Sequence, residues 1–248
     1  MTSFFILSHG CKVNQCEVEA IAQAWEGLGM RRVADPAHAD TALLSLCAVT
    51  ARAVRDGRHA VRKLGREHPG LRLVVTGCAA QVLPGEFEGL PGVVRVVGQQ
   101  RKSVLAKGPE AQDNGREVPG WIPLADYHRA RAVLRVQDGC SHCCAYCIVP
   151  RARGASRSRP AGEVLAEARR LLEAGIRELV VSGINLSHWG REQNRDFWDL
   201  LAGLERDLAP EWAGRARLRL SSLEPGQLGS RALDVLGASR LVCPQLHL

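Results

Sequence analysis

Four short apolar runs, each ending on a polar residue, a leucine or a glycine, mark the first hundred positions of the chain. SFFILS (3–8), TALLSL (41–46), LRLVVTG (71–77) and VVRVVG (93–98) have the length and side chains of buried strands. Helical patterns separate them, over about 17–28, stopped by Gly29, and about 50–67, stopped at Pro69. Strands alternating with helices predict an α/β domain over 1–105. It would be an open parallel sheet of flavodoxin or Rossmann type with helices on its faces.

Residues 106–130 lose periodicity and are rich in Pro, Gly and polar side chains, which predicts a linker. The alternation then restarts. Strands are expected at 132–137, 177–183 and 216–222, with helices at about 162–174, 197–208 and 228–236. This is the βα repeat of a TIM-type barrel. The chain stops at CPQLHL, inside what reads as a fourth strand, so 131–248 is expected to be a truncated partial barrel.

Composition adds little to this frame. Hydrophobic content of 46% and charged content of 24% are those of a soluble globular protein. No apolar run approaches the ~18 residues of a membrane span. The start MTSFFILSHG lacks a basic segment before its short apolar run, so no signal peptide is expected and a cytoplasmic location is. A net charge of +7 slightly favours a polyanionic partner. Only four of the 33 basic residues are lysine, however, and a coding bias toward arginine weakens that signal.

The nine cysteines change the picture more. Without a secretory signal they point to metal binding or catalysis rather than disulfides. Cys11, Cys47 and Cys78 each follow a predicted strand by one to three residues. The C-terminal strand ends of an open parallel sheet form its ligand-binding rim, so three thiols separated by 36 and 31 residues would converge on one edge. Buried cysteine as a small hydrophobe would explain one such position better than three.

The stretch DGCSHCCAYC places Cys140, Cys143, Cys144 and Cys147 within eight residues. Two abutting C-x2-C pairs are awkward for one tetrahedral zinc, whose paired ligands normally face each other across a long loop. The alternative is C-x3-C-x2-C, formed by Cys140, Cys144 and Cys147. Three thiolates on a [4Fe–4S] cube leave one iron open to a chelating substrate such as S-adenosylmethionine (SAM). Tyr146 would then pack near the cluster and the adenine.

At this point the sequence resembles the radical SAM superfamily, and within it the methylthiotransferases. The resemblance rests on GCKVNQ (10–15), CAVTARA (47–53), TGCAAQ (76–81), VQDGC (136–140), SGINL (182–186) and RLRLSSLEP (217–225). The GCKVNQ form is similar to the branch acting on threonylcarbamoyladenosine in tRNA. The resemblance implies that Cys140, Cys144 and Cys147 hold a radical-generating [4Fe–4S] cluster. Reductive cleavage of SAM there would give a 5′-deoxyadenosyl radical that takes hydrogen from C2 of the modified adenine. Cys11, Cys47 and Cys78 would hold a second [4Fe–4S] cluster carrying the sulfur, and a second SAM would supply the methyl group. Gly183, Asn185, Ser221 and Glu224 would contact SAM, although turn and helix-cap chemistry explains the same residue types. The implied partners are tRNA and a low-potential flavodoxin- or ferredoxin-type electron donor, with no membrane.

Departures from the family pattern are expected to matter. Leu-Ser-Leu precedes Cys47 where relatives have Asn-Thr, which would remove a hydrogen bond near the second cluster. Cys16, Cys143 and Cys243 have no implied role. The rest of the barrel and a C-terminal RNA-binding domain are expected to be absent.

Two basic stretches remain. Arg151, Arg153, Arg157 and Arg159 suit phosphate or carboxylate contacts or a solvated loop. Arg52, Arg55, Arg58 and Arg62 recur at helical spacing, as on a solvated helix face. Alternative readings are a methylthiotransferase for isopentenyladenosine or a ribosomal protein, and an inactive iron–sulfur or zinc module.

Overall fold

The computed structural model describes residues 2–112, 121–124 and 130–248. Parts of the expected linker, 113–120 and 125–129, lie outside the described residues. Two compact units emerge. One comprises the chain up to Pro123 together with His142–Gly154, and the other comprises Leu124–Ser141 and Ala155–Leu248.

In the first unit, β1 (Ser3–His9), β2 (Arg31–Arg32), β3 (Thr41–Leu46), β4 (Arg72–Gly77) and β5 (Val93–Gly98) form a parallel sheet. Their order is β2-β1-β3-β4-β5. This is the flavodoxin-like 2-1-3-4-5 order, whose switch point lies between β1 and β3. The expected open parallel sheet is therefore borne out, with β2 as an addition. Two residues of Arg-Arg carry no apolar signal, and β2 exists only through its pairing with Ser3 and Phe4.

The period-two alternation of strand side chains sorts them into two layers. Ala42, Leu44 and Leu46 pack with Leu73, Val75 and with Val61 and Leu64 of α2 (Ala51–Glu67). Leu43 and Val74 point the other way, onto Phe4 and onto Val18, Ile21 and Trp25 of α1 (Lys12–Gly27). α1 starts five residues before the expected 17. Buried Asn14 and Glu17 break the apolar period there, so its first turn is invisible to hydrophobic pattern. α2 follows its expectation, with the Thr50 hydroxyl accepting from the Ala53 N–H at 3.0 Å as an N-cap. A short α3 (Cys78–Val82) follows β4 directly, a 3₁₀ segment (Gln99–Lys107) follows β5, and α4 (Val149–Arg153) belongs to this unit.

The second unit contains β6 (Ala132–Arg135), β7 (Gln137–Asp138), β8 (Arg157–Ser158), α5 (Ala161–Glu173), β9 (Glu178–Ser182), α6 (Phe197–Trp212), β10 (Arg217–Leu220) and α7 (Ser230–Ala238). β6, β9 and β10 form a parallel sheet in chain order, and Leu218 pairs in parallel with Val242. This is the expected run of barrel units. The strand foreseen at 132–137 divides, because Gln137 and Asp138 leave the sheet to pair antiparallel with β8. α6 continues past the expected 208 through Pro210, whose missing N–H lies in the last turn. Burial of Leu208, Ala209 and Trp212 outweighs that one lost bond. No described helix is long and apolar enough to cross a membrane.

Candidate metal centre

All nine cysteines are free thiols. Three of them stand on the rim of the first unit's sheet. Cys11 is the N-cap of α1 just beyond β1, Cys47 follows β3 immediately, and Cys78 opens α3 directly after β4. β1, β3 and β4 are consecutive neighbours in the sheet. Neighbouring strands lie about 4.8 Å apart, so the three backbone positions span roughly 10 Å. Cys11 and Cys47 flank the switch point, where open α/β sheets bind their ligands.

The local chemistry differs at each thiol. Cys11 is exposed and donates weakly to Asn14 Oδ1 at 3.8 Å. Cys47 is half-buried, and its Sγ accepts from the Val49 N–H at 3.4 Å. Cys78 is buried, and burial pushes its thiol up from the ordinary value. The cations of Arg153 and Lys102 oppose that push, while Glu17 and Cys47 add to it. Gly77 sets up the approach of the last two cysteines. Its φ is +98°, and a Cβ there would stand 2.6 Å from the Leu46 carbonyl oxygen and 2.7 Å from the Leu46 nitrogen. Three free thiols on adjacent strand ends fit a three-thiolate iron–sulfur cluster.

The second trio is held by sequence proximity. Cys140 follows β7 and is half-buried; Cys144 is exposed and Cys147 half-buried. The Cys147 N–H donates to the Cys144 carbonyl at 3.0 Å, closing a turn between the last two thiols. Cys143 is exposed, as is Tyr146, at 93%. Cys16 and Cys243 are buried, as hydrophobic cysteines are.

The strand ends of the second unit bring two of the four anticipated SAM-contact residues together. Asn185 Nδ2 donates to Glu224 Oε1 at 3.0 Å, and Asn185 Oδ1 accepts from the N–H and hydroxyl of Ser187. Ser221 extends β10, its N–H bonded to the Val181 carbonyl. Gly183 is required by packing, since a Cβ there would lie 2.9 Å from Gln137.

Gln137 was not anticipated, yet it organises this rim. Fully buried, it donates to the carbonyls of Asp138 and Gly139 and to Ser156 Oγ at 2.7–2.8 Å. Its Oε1 accepts from the N–H groups of Ile184 and Asn185, both at 2.9 Å. One amide thus ties the loop after β9 to the backbone entering Cys140. The "VQDGC" motif contained the signal, a glutamine ending an apolar strand.

Of the arginines after Cys147, two make the carboxylate contacts that were one of the expected alternatives. Arg153 and Arg159 are buried in ion pairs, Arg159 on Glu167 at 3.0 Å and Arg153 on Glu17 at 3.1 Å, so neither is a solvated or phosphate-contacting loop residue. Arg151 and Arg157 are exposed. On α2, Arg52 pairs with Asp56 and Arg58 with Glu86 on the helix surface.

Residues 3–98 match the family described as uncharacterized protein family UPF0004, and residues 134–221 match the radical SAM superfamily. The threonylcarbamoyladenosine tRNA methylthiotransferase MtaB of Chlamydia pneumoniae is 35% identical over 99% of this chain and 57% of its own length. The MtaB of Bacillus subtilis is 33% identical over 96% of the chain and 55% of its own length. A tRNA-2-methylthio-N(6)-dimethylallyladenosine synthase of Carboxydothermus hydrogenoformans is 31% identical over 99% of the chain and 59% of its own length. The resemblance drawn from the motifs is thus borne out. The chain spans a little over half the length of these curated relatives. Among solved structures, the radical S-adenosylmethionine methyltransferase TsrM of Kitasatospora setae shares the fold. Its TM-score is 0.65 at 14% identity, covering 98% of this chain and 60% of that one.

Proposed function

We propose that this chain carries the two metal centres of a radical SAM tRNA methylthiotransferase acting at C2 of N6-threonylcarbamoyladenosine. The observation that carries the reading is the pairing of C-x3-C-x2-C with three rim cysteines on β1, β3 and β4. Cys140, Cys144 and Cys147 would hold one [4Fe–4S] cluster, and Cys11, Cys47 and Cys78 a second. When bound, such clusters supply the electron for SAM cleavage and the iron to which the transferred sulfur attaches.

The protein's own part is placement. Asn185 holds Glu224 through a hydrogen bond, and the Glu224 carboxylate is an acceptor suited to the amino group of SAM. Gln137 fixes the peptide of Ile184 and Asn185, so that edge is set before substrate arrives. Tyr146, exposed on its loop, offers a ring for stacking on a base or adenine. tRNA is the proposed substrate, a low-potential flavodoxin- or ferredoxin-type protein the electron donor, and the cytoplasm the location.

Mass spectrometry of tRNA nucleosides from a deletion strain tests the substrate. Loss of the methylthio form of threonylcarbamoyladenosine, restored by the gene, is expected. Its persistence, with loss of the methylthio-isopentenyladenosine form instead, would select the second reading. The dimethylallyladenosine synthases of similar identity favour that one.

A further inference from the structure

A buried ionic knot lies against the rim cysteines of the first unit, and no step above uses it. Arg153, at the end of α4, donates to both Glu17 oxygens at 3.1 and 3.2 Å and to Asn14 Oδ1. Glu17 also takes Lys102 Nζ and, at 3.1 and 3.2 Å, the amide of Gln99. The side chains of Arg153, Glu17 and Lys102 are each at most 4% exposed. Charges are kept in such a place only when paired, and the geometry here is that of a forked guanidinium on a carboxylate.

Two connections lead from this knot to the thiols. The Asn14 oxygen that accepts from Arg153 lies 3.8 Å from Cys11 Sγ, so the guanidinium fixes the side chain that faces Cys11. The short helix α3, which opens at Cys78, packs on α4, which ends at Arg153, and on the 3₁₀ segment that carries Lys102, so the knot's cations sit on elements packed against the one that presents Cys78. We propose that Arg153 and Glu17 are positioning residues for the Cys11, Cys47 and Cys78 centre, orienting Asn14 toward Cys11 and setting the field in which a cluster there is reduced. This rests on the reading of those cysteines as a cluster site. Reduction adds one negative charge to a thiolate-bound cluster, so a nearby cation favours the reduced form and a nearby carboxylate disfavours it.

The test uses the full chain with Cys140, Cys144 and Cys147 replaced by alanine, reconstituted anaerobically with iron and sulfide. Iron per chain and the midpoint potential from an EPR-monitored titration are read for Arg153→Met, Arg153→Lys, Glu17→Gln and the double variant Glu17→Gln/Arg153→Met. Arg153→Met should shift the reduction equilibrium about tenfold toward the oxidised form, roughly 59 mV for one electron, and Glu17→Gln by a similar factor the other way. Arg153→Lys should keep the parental potential. The double variant should return toward it, and it keeps the test open should Arg153→Met alone misfold. Potentials that move together, or do not move while iron stays bound, would overturn the proposal, because a merely structural knot has no reason to give opposite signs. No iron in the parent chain would overturn the cluster reading itself, and this inference with it.

Discussion

The two cysteine trios achieve the same stoichiometry by opposite means. Cys11, Cys47 and Cys78 lie far apart in sequence and stand on one rim because β1, β3 and β4 are neighbours in a sheet whose order places a switch point between the first two. Cys140, Cys144 and Cys147 share one short stretch, in which Cys144 and Tyr146 are exposed. One trio is placed by tertiary structure, while the other is set by spacing. Damage to the fold should therefore injure the first, and damage to local sequence the second.

The largest effect should come from Gly77→Ala. Its φ of +98° and the 2.6 Å approach to the Leu46 carbonyl leave no room for a methyl group. A cost of about 3 kcal/mol or more is expected in chemical denaturation. Iron retention at the rim trio should fall, while the trio of 140, 144 and 147 keeps its own. Next comes Gln137→Ala, which strands two N–H groups and two carbonyls beside the second unit's rim. It should cost about 2–3 kcal/mol and weaken SAM binding by calorimetry, leaving the rim trio's iron unchanged.

The strands of both units were legible in the sequence because apolar runs of strand length need only local pattern. The rim position of three cysteines followed from their place after those strands. What was not legible arose from contacts across many residues. Arg153 lies 136 positions from Glu17, and nothing periodic connects them. β2 is made by its partner, the start of α1 is hidden by buried Asn14 and Glu17, and Gln137 looks like any polar strand end. Gly183 was expected as a SAM contact, but its lack of a side chain is already required by Gln137.

A smaller, pH-dependent effect belongs to the second unit's opposite edge. Glu178 is buried, with Arg219 at 2.7 Å and Arg217 at 2.6 Å. The Arg219 hydrogen bond is the leading cause that holds its carboxyl below the usual range. The unfolded value is near ~4.3, so this stabilisation is complete above that pH and fades as pH falls through the lower folded value. Glu178→Gln should flatten the acid limb of a melting-temperature profile below about pH 5. Smallest of all, Cys143→Ser should leave iron content unchanged and stability within about 0.5 kcal/mol, since Cys143 is an exposed thiol outside both trios.

The central claim is two centres on one chain, and metal stoichiometry tests it most directly. Anaerobic reconstitution should give about eight irons per chain, and about four after alanine replacement of either trio. About four irons in the parent chain, unaffected by replacing Cys11, Cys47 and Cys78, or zinc without iron–sulfur absorption, would contradict it.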